Sequence, residues 1–324
     1  MPSALHTPQT STAGRNARRL GLGVLLALLS PAVPAAELSE KAPLAAHSLL
    51  LDVAAVDGRL IAVGDRGHVL VSADQGATWE QIIVPTRAML TAVAFADAKN
   101  GTAVGHDGVI LATNDGGRTW QRRDNGQDLD TVWFDVLFVD EKRGFIAGAY
   151  GRFLRTEDGG LTWTPGKPVE EDLHFYRISS GPGRLYLAGE SGTALTSADG
   201  GATWERLEVP YDGSLYGLLP LDDGTLLAYG LRGHIFRSTD AGVSWEPVDN
   251  PVTVLIMGGA RMADGTIVLG GLGGNLFVSR DGGRSFKHWH PAELGTGVAD
   301  LIATGPDRVV TVGEGGAHSL TLPR

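Results

Sequence analysis

Thr102-Ala-Val-Gly105-His-Asp-Gly108-Val-Ile-Leu-Ala-Thr113-Asn-Asp115-Gly-Gly117-Arg-Thr119-Trp120 carries the two signals that decide the fold of this 324-residue chain. One is a pair of glycines three residues apart. The other, starting eight residues after the first glycine, is an octet of the form Ser/Thr-x-Asp-x-Gly-x-Thr-Trp. The octet recurs from Ser72, Thr156, Ser197, Ser238 and Ser279. Each copy follows its own pair: Gly64/Gly67, Gly148/Gly151, Gly189/Gly192, Gly230/Gly233 and Gly271/Gly274. A seventh pair, Gly313/Gly316, has no octet after it, and successive first glycines lie 41 to 43 residues apart. A period of that size belongs to propeller blades or to helical arrays.

The residues between the signals choose between the two. Runs such as Leu60-Ile-Ala-Val63 and His68-Val-Leu-Val71 are short, rich in branched side chains and broken by Gly and Asp, which reads as strand and turn. No segment after the first 36 residues sustains a helical apolar period. The expected fold is all-β: a seven-bladed propeller of four-stranded antiparallel blades, whose radial packing protects the strand edges. Residues 36–324 form it. The last repeat stops where its octet should begin, so its outermost strand is expected from the segment Glu37–Ala45, closing the ring.

The first 35 residues differ in kind. Arg15, Arg18 and Arg19 precede the apolar run Leu20–Leu29, followed by Pro31-Ala-Val-Pro-Ala-Ala36, the order of a secretory signal. Cleavage is expected after Ala35 or Ala36, giving a soluble exported protein whose expected compartment is the periplasm. The competing reading is an uncleaved anchor. No cysteine is present, which excludes disulfides, thiol catalysis, thiolate metal sites and a thioether lipid anchor. Losing the three leader arginines takes the net charge from −10 to −13, which disfavours nucleic acid or an anionic membrane surface as partner.

The octet reads as the hairpin between the third and fourth strands. Its Asp accepts N–H bonds across the turn, its Gly takes a conformation closed to other residues, and its Trp buries beside the next blade. Asp74, Asp115, Asp158, Asp199, Asp240 and Asp281 are therefore structural. Calcium takes six to eight oxygens, and each octet offers one carboxylate at a separate point on the rim. His288-Trp-His290 puts two imidazoles on one strand face but lacks a third ligand, so neither metal nor cofactor is expected.

Alternate turns of a blade lie on opposite faces of the disc. The Gly-x-x-Gly turns and the interblade links share the face that does not repeat, and repeat folds bind where they vary. Arg66, His106, Tyr150, Arg152 and Arg232 from the turns, with Trp133 and Tyr176 from the links, are the candidate partner-binding residues, since interfaces favour rings and arginine at their centres. Phe134 and Phe175, also in the links, are read as core.

With these residues laid out, the octets resemble the Asp-box (BNR) repeats of sialidases. The longer unit Thr102–Trp120 resembles the photosystem II stability and assembly factor family, over essentially the whole chain after the leader. The sialidase resemblance would imply glycoside hydrolysis with an arginine in a Phe/Tyr-Arg-Ile-Pro string ahead of the first box. The nearest string here, Tyr176-Arg-Ile-Ser179, follows three boxes and lacks the proline, so that resemblance extends to the fold. The assembly-factor resemblance implies an exported, non-enzymatic monomer that helps assemble or stabilise a membrane-associated protein complex through a positive patch, for which Arg66, Arg152 and Arg232 are the candidates. The alternative is an exported sialidase-like hydrolase or carbohydrate-binding propeller.

Overall fold

A computed structural model describes residues 37–123, 126, 129–221 and 223–323. The leader and its cleavage site lie outside the described residues. Seven antiparallel sheets follow one another along the chain, six of four strands and a last one of three, each built in sequence order. The first strands of the seven blades are Leu50–Val56, Leu90–Phe95, Trp133–Phe138, Phe175–Gly181, Leu215–Pro220, Ile256–Arg261 and Val298–Ala303. Each of these touches the first strand of the blade before and after it, and the strand of blade seven touches that of blade one, so the ring closes around them.

The first glycine of each pair ends the second strand and lies directly against the carbonyl group just before the first strand. At Gly105 an added Cβ would fall 2.9 Å from Leu90 Cα and nearer still to Met89 O. The absent side chain lets the next residue donate its backbone N–H to that carbonyl: Asp65 to Leu49 at 3.0 Å, His106 to Met89 at 2.9 Å, and the equivalent bond in every other blade. This close approach coincides with an extra residue in every first strand, a β-bulge that falls at Leu51, Thr91, Phe134, Tyr176, Tyr216, Met257 and Ala299.

The octets form one repeated hydrogen-bond pattern. In the first, Ser72 Oγ donates to Asp74 Oδ1 at 2.8 Å, Gly76 N–H donates to Ser72 Oγ at 2.8 Å, and Thr78 gives its N–H to Oδ1 at 2.9 Å and its hydroxyl to Oδ2 at 2.6 Å. The other five repeat all four bonds, with Ser244 and Ser285 standing in for Thr. These bonds hold Asp74, Asp199 and Asp240 down to about 2. In Asp281, also at about 2, and in Asp115 and Asp158, burial acts the other way and is outweighed by the same bonds.

The octet's ring packs toward the preceding blade rather than the next one. Trp120 joins the core of blade one, Trp204 that of blade three, and Phe286 that of blade five. The reason lies in the octet's second glycine, which allows the turn to lie on the neighbour's second strand: an added Cβ at Gly76 would fall 2.6 Å from Val310 Cγ2. Since Val310 belongs to blade seven, the first octet clasps the two ends of the ring together. The expected closing strand does not form among the described residues. Residues 37–44 run as a loop into a short 3-10 turn, Ala45–His47. Their hydrogen bonds go to blade one: Ser39 N–H to Val84 O at 2.8 Å, and Ala42 N–H to Gln81 Oε1 at 2.7 Å. With those groups satisfied there, and Pro43 offering no N–H, the segment has little left to pair with the edge of blade seven.

Candidate functional site

The seven bulged residues come together at the axis. Leu51, Thr91, Phe134, Tyr176, Tyr216, Met257 and Ala299 line one cavity of about 260 Å³, with Met89, His106 and Arg177 completing its wall. Every blade therefore supplies one residue to the mouth, and the glycine that admits the bulge is what aims it. The cavity opens on the face of the Gly-x-x-Gly turns.

An arc of rings runs outward from this cup over blades three to five. Tyr176 and Tyr216 stack at 4.5 Å with their planes 6° apart. Phe134 lies 5.6 Å from Tyr176, and His174 lies 5.8 Å from Phe134. Tyr150 meets His174 edge-on at 4.7 Å, and its side chain is 66 % exposed. Glu190 borders the arc, its Oε1 accepting the His174 N–H at 2.7 Å. Burial raises Tyr176 and Tyr216 above the usual phenol range.

One residue deeper along the first strands lie Asp52, Ala92, Asp135, Arg177, Gly217, Gly258 and Asp300. Arg177 reaches across the axis from blade four to blade seven, where Nη1 donates to Asp300 Oδ1 at 2.9 Å. Asp135 Oδ2 accepts the Ile178 N–H at 2.6 Å, and Asp52 Oδ2 accepts the Val93 N–H at 2.7 Å. Three carboxyl groups thus surround one guanidinium. Burial, with the Asp300 charge beside it, pushes Asp52 well above the carboxylate range. Burial also pushes Asp135 up to about 6, against the pull of Arg177. Burial opposes the charge on Arg177, yet Asp300 and Asp135 hold it above its ordinary value. Tyr229, buried alongside, is raised by burial to about 12. The small residues make room: an added Cβ at Gly259 would fall 2.8 Å from Tyr229 Oη.

Of the sequence-predicted residues, Tyr176 and His106 line the cup and Tyr150 ends the arc. Trp133 does not belong with them. It is fully buried between blades two and three, its indole N–H without an acceptor, because it precedes the bulge and turns into the core. Its neighbour Phe134, read as core, is the bulged residue and faces the cup. Arg66 and Arg232 stand on exposed turns, Arg66 beside Asp65 at 3.4 Å, and Arg152 is half-buried; none of the three lines the cup. Arg66, Asp107, Tyr150, Ser191 and Arg232 occupy the same turn position, all exposed and all at φ between 53° and 59°. That left-handed conformation costs about 1–2 kcal/mol for a residue other than glycine. His288 and His290 are engaged separately, by Asn275 Oδ1 at 2.7 Å and by Gly273 O at 2.8 Å. Sequence reasoning missed Met257 in the cup and the charges beneath it. The available signal was register, since the bulged residue stands 13 or 14 positions before each first glycine.

These features define a seven-bladed Asp-box propeller with an unrepeated axial face. Residues 71–132 and 125–268 match the family model described as photosynthesis system II assembly factor YCF48. The chain belongs to that family. It is 37% identical over 73 residues to the chloroplastic photosystem II stability/assembly factor HCF136 of Cyanidioschyzon merolae. That match covers 20% of this chain and 17% of the relative, so the chain spans under a fifth of that relative's length in the alignment. A solved YCF48 bound to D1 peptide superposes with a TM-score of 0.71 at 20% identity, covering 89% of this chain and 97% of that one. The GH74 xyloglucanase of Xanthomonas campestris gives 0.68 at 14% identity, covering 85% of this chain and 52% of that one. At these identities the two solved structures speak for the fold alone.

Proposed function

We propose that this chain is an exported, non-catalytic, monomeric propeller that assists assembly or stability of a membrane-associated protein complex by docking a segment of it on the Gly-x-x-Gly face. One observation carries the reading: the seven bulged residues and the ring arc gather on a face whose chemistry changes from blade to blade, while the octet face repeats. Rings that are partly exposed and already packed on one another suit an interface centre. Membership of an assembly-factor family supports the role, a YCF48 solved with a peptide supports a peptide segment as cargo, and the leader-like first 35 residues support export. Arg66 and Arg232 would act at the rim by steering, which affects encounter more than affinity.

The hydrolase alternative has Tyr176 and Arg177 as its residues, and Arg177 is engaged by Asp300 at 2.9 Å. Affinity purification of the tagged chain from crosslinked native membranes tests the reading. Tyr150→Ala with Tyr176→Ala should lower recovery of the complex about tenfold, the scale of losing one interface anchor, while Leu161→Ala on the octet face should not. Unchanged recovery with the double variant would show that the docking face is wrong.

A further inference from the structure

The cup and the charges under it specify what kind of group enters. At about 260 Å³ the cavity lies below the usual range of small-molecule sites, roughly 300–1,000 Å³, and suits one long side chain. Its wall combines Tyr176, Tyr216 and Phe134 with the thioethers of Met89 and Met257, surfaces that accept an aliphatic stem and a cation on a ring face. Arg177 completes the wall at its floor, and behind it Asp52, Asp135 and Asp300 outnumber that guanidinium three to one, with Glu190 flanking the arc above. Arg177 is hydrogen-bonded to Asp300, and these three carboxyls share its one positive charge.

We propose that the axial cup binds the cationic side chain, arginine or lysine, of an extended segment of the partner protein. This rests on the proposed function only in taking the partner to be a protein docked on this face. The ammonium or guanidinium sits among the tyrosine rings, its stem lies along Met89 and Met257, and its charge offsets the excess negative charge at the axis. Burial raises Asp52 and Asp135 against the pull of Arg177, and a second cation above them would favour their ionised forms. A bound cation favours the ionised form of Asp135, so binding strengthens as pH rises through about 6. The other titratable and charged groups facing Asp135 are Asp52, Arg177, Tyr229 and Asp300, with His106 in the cup wall.

The test uses the full chain labelled at its methionine methyls, of which it has four. Capped pentapeptides with arginine, lysine, citrulline or glutamate between glycine pairs are titrated while the methyl resonances are followed. Arginine and lysine peptides should move Met89 and Met257 with a dissociation constant of ~1 mM, and leave Met262, buried between blades six and seven, in place. The affinity should weaken about tenfold from pH 7 to pH 5, following the ionised fraction of a group near 6. Asp135→Asn, whose amide oxygen can still accept the Ile178 N–H, should remove that pH dependence and weaken binding; Tyr216→Leu should weaken it while keeping an apolar wall. Equal shifts with citrulline or glutamate, no shifts with either basic peptide, or an unchanged pH profile in Asp135→Asn would overturn the proposal. Failure of the peptides while Tyr150 and Tyr176 remain necessary for membrane recovery would remove the cup chemistry alone; peptide binding without any recovered complex would remove the membrane-partner reading alone.

Discussion

The octet aspartates and the axial pair Asp52 and Asp135 are the same residue in two settings, and their acidities are driven in opposite directions. Asp74 or Asp199, on the outer hairpins, accepts two hydroxyls and a backbone N–H and is held at about 2. Asp135, beneath the cup, also accepts a backbone N–H, yet burial raises it to about 6. The octet carboxylates satisfy their own turns and repeat in six blades. The axial carboxyls differ between blades and lean on Arg177 from across the ring. Repetition marks groups that complete a local structure, and departure from repetition marks groups that depend on distant partners or on something outside the chain.

The contrast breaks most severely at Arg177. Arg177→Met would leave Asp300 and its neighbours without their counter-charge and should lower unfolding stability by about 4 kcal/mol, read from denaturant melts at pH 7.5. A loss under about 1 kcal/mol would mean the axial charges are independently solvated. Gly105→Ala comes next: its Cβ would meet Met89 O, displacing the bulge at Thr91, and should cost about 3 kcal/mol. It should also perturb the Met89 methyl, whereas Gly295→Ala, where an added Cβ meets nothing within 4 Å and the backbone is not left-handed, should do neither.

Asp135→Asn should act with the opposite sign, stabilising the protein at pH 7.5 by up to ~3 kcal/mol. The folded value of about 6 exceeds the unfolded 3.8, so the folded state binds this proton more tightly, and stability falls as pH rises from 3.8 through 6. The octet aspartates behave in reverse. Their folded values lie below 3.8, so their contribution is present above 3.8 and is lost as pH falls toward 2. Melts between pH 2 and 8 should therefore show two limbs; Asp135→Asn should flatten the neutral one only. The smallest effect is expected at a single octet, where Asp199→Asn should lower the melting temperature by about 2 °C and blunt only the acid limb.

The fold was legible because its determinants are local and recur. A glycine that must abut a carbonyl and an aspartate that must accept three bonds leave the same residues at the same offsets, whatever surrounds them. The site was legible only to the face. Trp133 and Phe134 exchanged their expected places because a bulge inserts one residue and reverses which side of the strand each occupies. Arg177 was noticed for its neighbours in the chain, Tyr176 and Ile178, while its charge partners lie 42 to 125 positions away. The closing strand was inferred from a missing hairpin, and the hydrogen bonds of residues 39 and 42 took that segment to blade one instead.

Two exposed apolar side chains provide the most direct test that the unrepeated face, rather than the octet face, meets the partner. Tyr150 is 66 % exposed on a Gly-x-x-Gly turn, and Leu161 is 67 % exposed within the third octet. A photo-crosslinking benzoylphenylalanine placed at each in turn, followed by irradiation with native membranes, should yield a discrete adduct from position 150 and none from position 161. Adducts from position 161 with none from position 150 would contradict the assignment of the binding face.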